Sequence, residues 1–336
     1  MPVLGNLQEG ARNAVEVCMA AKKGEHVLIV TDRVTHDVGQ AILEAAETVS
    51  KGNSKLLVLE DYVQRPAKET PKAIFDLIPW AHVTFYAAES RPGELATIRH
   101  PFIRTAIKYA RHGHMPSITK ELMETGMCAD YRKISQLTRK LDHLLKGCRK
   151  ARVINKAGTD LEVEFHPSWR WKVSDGLYPE KGMWGNLPDG EIYTAAYKAN
   201  GTMVIHELGD WFSPKYGALT KTPITLRVKD SRVDQASVQC ENEQLRREFV
   251  EYLRTDPNSN RLGEFAIGTN IFLDRLTGNL LQDEKIPSVH CAFGDPYPDE
   301  TGAGWRSSTH VDGIMLRCSI WIDGQKIMDE GKHLTN

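Results

Sequence analysis

The sequence has no long apolar run, no paired-cysteine motif and no excess of either charge. Its longest apolar stretches, such as His26-Val27-Leu28-Ile29-Val30, fall far short of the roughly 20 residues that cross a bilayer. Met1-Pro2-Val3-Leu4-Gly5 lacks the basic stretch and apolar run of a secretory leader. Six cysteines (Cys18, Cys128, Cys148, Cys240, Cys291, Cys318) are scattered without a C-x-x-C pair. In a chain of this size they read as reduced thiols that serve as small core hydrophobes, which predicts a cytoplasmic protein. Lys+Arg total 43 against 44 Asp+Glu, so no global field favours nucleic acid or an anionic membrane as a partner. Four functional signatures are also missing. No G-x-G-x-x-G or G-x-x-x-x-G-K-[ST] follows the first strand-like run, where the turn reads Thr31-Asp32-Arg33-Val34-Thr35. There is no G-x-S-x-G elbow and no H-E-x-x-H.

What is present is an ordinary globular composition, 41% apolar and 26% charged over 336 residues. That length suggests two domains at roughly 150 residues each. Residues 6–22 carry Leu7, Ala11, Ala14, Val15 and Cys18 at helical spacing, with Gly24 beyond as a stop. A β-branched run at 26–32 reads as a buried strand, 36–50 as a helix, 55–60 as the next strand and 81–86 as a third. Helical patterns fill much of 95–110 and 133–147. Strand–helix–strand order predicts an α/β domain with a mainly parallel sheet over 1–150. After Cys148 the pattern changes. Arg152–Lys156 and Asp160–Phe165 flank the hairpin signal Ala157-Gly158-Thr159. Short strands follow at 191–195, 202–206, 224–228, 233–238 and 315–322, with one helix at 241–254 whose Leu245, Phe249 and Leu253 share a face. Residues 151–336 are therefore expected to form a mainly β (α+β, barrel-like) domain.

The polar residues in unusual settings lie in this second part. Thr309-His310-Val311-Asp312 puts a histidine and an aspartate two apart on a strand, hence on one face. Imidazole nitrogen and carboxylate oxygen together suit Zn, Fe, Mn or Co. With twelve histidines, one such pair arises about once by chance, and the plainer reading is a strand-end histidine bonded to a turn. His290 sits beside an apolar run, as a satisfied core histidine would. Tyr297 is fixed between prolines in Asp295-Pro296-Tyr297-Pro298, suitable for donating to a developing oxyanion and equally ordinary as a surface aromatic. Glu264 is embedded in Leu262-Gly263-Glu264-Phe265-Ala266-Ile267-Gly268, where a desolvated carboxylate needs a cation, a metal or a proton. Glu191 opens a strand after Asp189-Gly190 and could simply be solvated. Together these are three carboxylates and two imidazoles. About three ligands make a mononuclear site, and five suffice for two ions bridged by a carboxylate. A further pair, His112-Gly113-His114, reads as a loop between helices and carries little weight as a metal site.

The run Trp184-Gly185-Asn186-Leu187-Pro188-Asp189-Gly190-Glu191-Ile192-Tyr193, then Asn200-Gly201-Thr202, resembles the metallo-aminopeptidase family typified by thermophilic aminopeptidase T. So do 262–268, His290-Cys291-Ala292-Phe293-Gly294-Asp295-Pro296-Tyr297-Pro298 and Ser308-Thr309-His310-Val311-Asp312-Gly313, in the same order and rough spacing. The resemblance implies that Glu191, Glu264, His290, His310 and Asp312 are metal ligands, with Tyr297 at the active-site tyrosine and Glu191 or Glu264 also moving a proton. It implies two divalent ions (Zn, Co or Mn), a homodimer, and short peptides or small amides as substrates. Members of that family often carry two adjacent acids in the first motif, where this chain has Gly190-Glu191. A more distant resemblance, to the 2,5-dihydroxypyridine dioxygenases, implies the rival expectation of a single Fe(II) held by two histidines and one carboxylate. The position of their first iron histidine is taken here by Glu264, which favours the hydrolase. A non-catalytic relative is the third expectation.

Overall fold

The computed structural model describes residues 4–334. The chain divides into two compact units, Met1–Ser135 with Gly176–Asp189, and Gln136–Asp175 with Gly190–Asn336. Among the described residues no helix is long and apolar enough to cross a membrane.

The first unit is an α/β layer structure around a parallel sheet. Its strands lie in the order Ser54–Val58, Val27–Thr31, Val83–Ala87, Arg111–His114 and Trp184–Asn186. All four pairings are parallel. Val27–Thr31 and Val83–Ala87 are buried at every residue, as strands covered on both faces must be. The first helix starts at Leu7 because Asn6 and Glu9 cap each other reciprocally, each side chain accepting from the other's backbone N–H at 2.9 Å. It widens to a π-helical turn over Asn13–Cys18, so the expected long helix closes early. His112-Gly113-His114 is not a loop. It is an interior strand, and a Cβ on Gly113 would lie 3.0 Å from the Phe85 ring and 3.1 Å from Leu187. The glycine that reads locally as a break is there because the neighbours approach so closely.

The second unit is built from two antiparallel sheets. The eight-stranded one runs Arg232–Gln239, Ile224–Lys229, Lys198–Ile205, Asp160–Glu164, Lys150–Ile154, Ser319–Ile322, Gln325–Asp329 and Lys332–His333. Its strands alternate in burial, with Ala151, Val153, Leu161 and Val163 inward. The helix Glu243–Tyr252 adds Leu245 and Phe249 to the same core. The six-stranded sheet runs Glu207–Leu208, His310–Met315, Val289–Gly294, Leu262–Gly268, Glu191–Ala195 and Lys172–Ser174. The single strand expected at 315–322 is therefore two strands in different sheets. The chain turns between them at Arg317, whose φ is 52°.

Two central strands of the six-stranded sheet, Leu262–Gly268 and Val289–Gly294, are buried at every residue. Phe265, Ile267, Val289, Cys291, Phe293 and Val311 belong to the apolar core. Their alternates, facing the other way, are Glu264, Ala266, His290, Ala292 and Asp312, and this buried polar face defines the candidate site.

Candidate metal centre

The register of the six-stranded sheet collects the polar residues. Ala292 pairs with Glu264 on one side and with Asp312 on the other. His290 pairs with Ala266, Gly294 with His310, and Gly268 with Glu191. With a side-chain period of two, Glu191, Glu264, His290, His310 and Asp312 all point to one face. Ala292 at the centre of this face leaves the space that the flanking carboxylates fill. The pairing slips by one residue at Gly263, which brings Glu264 opposite Ala292. Such bulges re-aim side chains beside sites.

The distances are short. His290 Nε2 lies 3.3 Å from Glu191 Oε2 and 3.3 Å from Glu264 Oε1. His310 Nε2 lies 3.5 Å from Asp312 Oδ1 and 4.0 Å from Glu264 Oε2. His310 Nδ1 faces the Asp295 carbonyl at 2.8 Å. A carbonyl only accepts, so Nδ1 carries the proton and Nε2 is directed at the carboxylates. The Tyr297 ring packs against His310 with centroids 4.4 Å apart. Tyr297 holds a left-handed backbone at φ 50° and ψ 61°. For a tyrosine followed by proline this is a strained geometry, of the kind found where a side chain must be aimed.

Two residues absent from the sequence reading complete the cluster. Glu284 reaches the same space, and Lys285, fully buried, donates to Glu191 Oε1 and to Glu284 Oε1, each at 2.6 Å. Asp283-Glu284-Lys285 has no apolar periodicity and reads as a solvated turn. No local signal marks it, and only the fold turns it inward. Tyr193, two residues after Glu191 on the same face, donates to Glu300 Oε2.

The electrostatics follow from crowding four carboxylates into a buried space. Burial lowers the His290 imidazole, but its bond to Glu264 and the Glu191 and Asp312 charges outweigh this and bring it up to about 9. His310 likewise loses from burial and gains more from Asp312, reaching about 10. Burial pushes Glu284 up to about 8 against the pull of Lys285. Glu264 is raised, chiefly by burial. Asp312, opposed by burial, is held down to about 2 by His310. Without a cation the cluster must gather protons, because like charges this close cannot all persist.

The donor atoms fall into two groups, Glu264–His310–Asp312 and Glu284–His290–Asp312, each with its atoms within 4.8 Å of one another. Asp312 is common to both. Glu191 Oε2 is buried and makes no hydrogen bond, so it too has unused donor capacity. Oxygen and imidazole donors in this number fit divalent Zn, Co or Mn. Glu191 belongs to neither group and is held by Lys285. Gly190, in the place of a second acid, has φ 132°, a conformation that side chains other than glycine rarely adopt.

The sequence profile of the thermophilic metalloproteases (M29) matches residues 119–331. The chain belongs to this family. It is thus a metal-dependent hydrolase of the metallopeptidase type, and the family implies a divalent metal. No curated protein matches the sequence. Among solved structures, wild-type AmpT from Thermus thermophilus is similar at 17% identity and a TM-score of 0.69, over 98% of this chain and 99% of that one. The 2,5-dihydroxypyridine dioxygenase from Pseudomonas putida KT2440 is similar at 15% identity and a TM-score of 0.71, over 98% and 97%. At such identities the likeness establishes the shared fold, an α/β unit joined to a mainly β unit.

Proposed function

We propose that the protein is an aminopeptidase that cleaves short peptides or small amides with a pair of divalent ions. The observation that carries this reading is the two donor groups meeting at Asp312 on one buried sheet face. Glu264, His310 and Asp312 would hold one ion; Glu284, His290 and Asp312 would hold the other. Such a pair supplies Lewis acidity and lowers the pKa of water at the site.

The remaining chemistry belongs to the side chains. Glu191 Oε2, with no hydrogen bond of its own, takes a proton from the attacking water and returns it to the leaving amine. Lys285 keeps the other oxygen of Glu191 in place. The Tyr297 phenol donates to the oxygen of the carbonyl as charge develops on it. Asp295, through its carbonyl, keeps His310 in the tautomer that leaves Nε2 available.

The iron oxygenase reading needs two imidazoles and one carboxylate around one ion. Each donor group here has one imidazole and two carboxylates, which favours the hydrolase. The test is a paired screen on protein equilibrated with Zn2+, Mn2+, Co2+ or Fe2+. Hydrolysis of aminoacyl amides and dipeptides, abolished when the substrate amine is acetylated, is the expected result. Oxygen uptake with a hydroxylated pyridine, with one Fe per chain and no amide cleavage, would overturn it.

A further inference from the structure

Lys285 has a consequence for the metal centre that the donor set alone does not give. Its ammonium is fully buried and contacts Glu284 Oε1 and Glu191 Oε1 at 2.6 Å each. Glu284 belongs to the Glu284–His290–Asp312 group alone, whereas Asp312, which also feels the Lys285 charge, is common to both groups. A fixed positive charge thus contacts a ligand that just one of the two donor groups contains.

We infer that Lys285 makes the two cation positions unequal, so that Glu264–His310–Asp312 fills first and tightly while Glu284–His290–Asp312 binds a second ion weakly and reversibly. This rests on the metal-centre reading above and refines it. The physical argument has two parts. An ion entering the second position must share Glu284 with an ammonium that already uses one of its oxygens. It also meets like-charge repulsion at close range in a buried setting, where water screens little. When the second position is empty, the same ammonium bridges Glu191 and Glu284 and offsets one of their two charges. Lys285 is in this sense a positioning residue with the role of an internal stand-in for the second ion.

The experiment is calorimetric titration of the metal-stripped, full-length protein with Zn2+, with metal counted per chain after desalting. Two steps are expected, and only about one ion should survive desalting. Lys285→Met should tighten the second step by at least about tenfold. Lys285→Arg, which keeps the charge, should leave the gap between the steps wide. Two wild-type ions of equal affinity, or a gap unchanged in Lys285→Met, would overturn the inference while leaving the metal centre in place. Binding of no ion by the wild type would remove both. Should Lys285→Met not fold, two other variants decide the matter. Glu284→Gln should delete only the weak step and His310→Ala the tight one, and the reverse pattern would overturn the inference.

Discussion

Two strands of this protein each carry a histidine two residues before a second polar side chain and use the pair in opposite ways. Arg111–His114 presents His112 and His114; His310–Met315 presents His310 with Asp312, next to His290. In the first unit burial drives His112 down to about 3 and His114 well below its ordinary value. In the second unit burial acts in the same sense on His290 and His310 and is overruled by carboxylates. The hydrogen bonds explain why. Arg99 Nε donates to His114 Nε2 at 3.1 Å, so His114 carries its proton on Nδ1, 3.2 Å from His112 Nε2. His112 then donates from Nδ1 to Thr84 Oγ1 at 2.9 Å. Every lone pair on those two rings is consumed. The site histidines instead face four acids and one lysine. Histidine spacing does not make a metal centre; a surplus of buried carboxylate does.

The sharpest way to test this contrast is to delete one member from each side. Asp312→Ala removes the ligand common to both donor groups. Metal should be lost in elemental analysis, and amide hydrolysis should fall by about a thousandfold or more, the share that Lewis acidity supplies. His112→Leu should leave metal content and turnover intact and lower unfolding stability by about 1–3 kcal/mol, because Thr84 loses its buried partner. Should His112→Leu strip the metal as fully as Asp312→Ala, the two strands would not differ as argued. A smaller effect is expected from Tyr297→Phe. Its ring remains against His310 and only the hydroxyl goes, so kcat should drop about 10²- to 10³-fold with metal content unchanged. Equal kcat in the variant would take Tyr297 out of the chemistry.

Much of this architecture is written in local pattern. The β-branched runs at 27–31 and 83–87 announce the parallel sheet, and the alternation in 150–154 and 160–164 announces the antiparallel one. Glu264 is legible because an acid in an apolar, glycine-bracketed run has nowhere to hide its charge, and His310 and Asp312 because a period of two puts them on one face. Glu284 and Lys285 are not legible. Three consecutive charges look solvated until a strand elsewhere in the chain supplies Glu191, the acid that Lys285 meets. The strand at 111–114 was obscured for the converse reason: Gly113 looks like a break, and only the nearness of Phe85 and Leu187 shows what it is for. Local pattern reports on a residue's own face, while a site is a property of several faces at once.

The smallest effect, and the most direct on the contrast, is in the pH dependence of stability. His290 and His310 have folded pKa values near 9 and 10, above the ordinary 6.5. The native metal-free state therefore binds more protons than the unfolded chain in between. Their contribution is complete below about pH 6.5 and is lost as pH rises through 9 to 10. Glu284, raised to about 8, acts in the same sense. His112 and His114 are depressed, so the native state binds fewer protons and stability is lost as pH falls from about 6.5 towards 3. Urea midpoints of the metal-stripped protein should thus decline on both sides of neutrality for different reasons. Replacing His290 and His310 together by Asn should flatten the alkaline side alone, and His112→Leu should soften the acid side alone. Saturating Zn2+ should also flatten the alkaline side, since ligation removes the protons that titrate there. An alkaline decline that persists unchanged in the double variant would mean that the imidazoles are not what the carboxylates are holding charged.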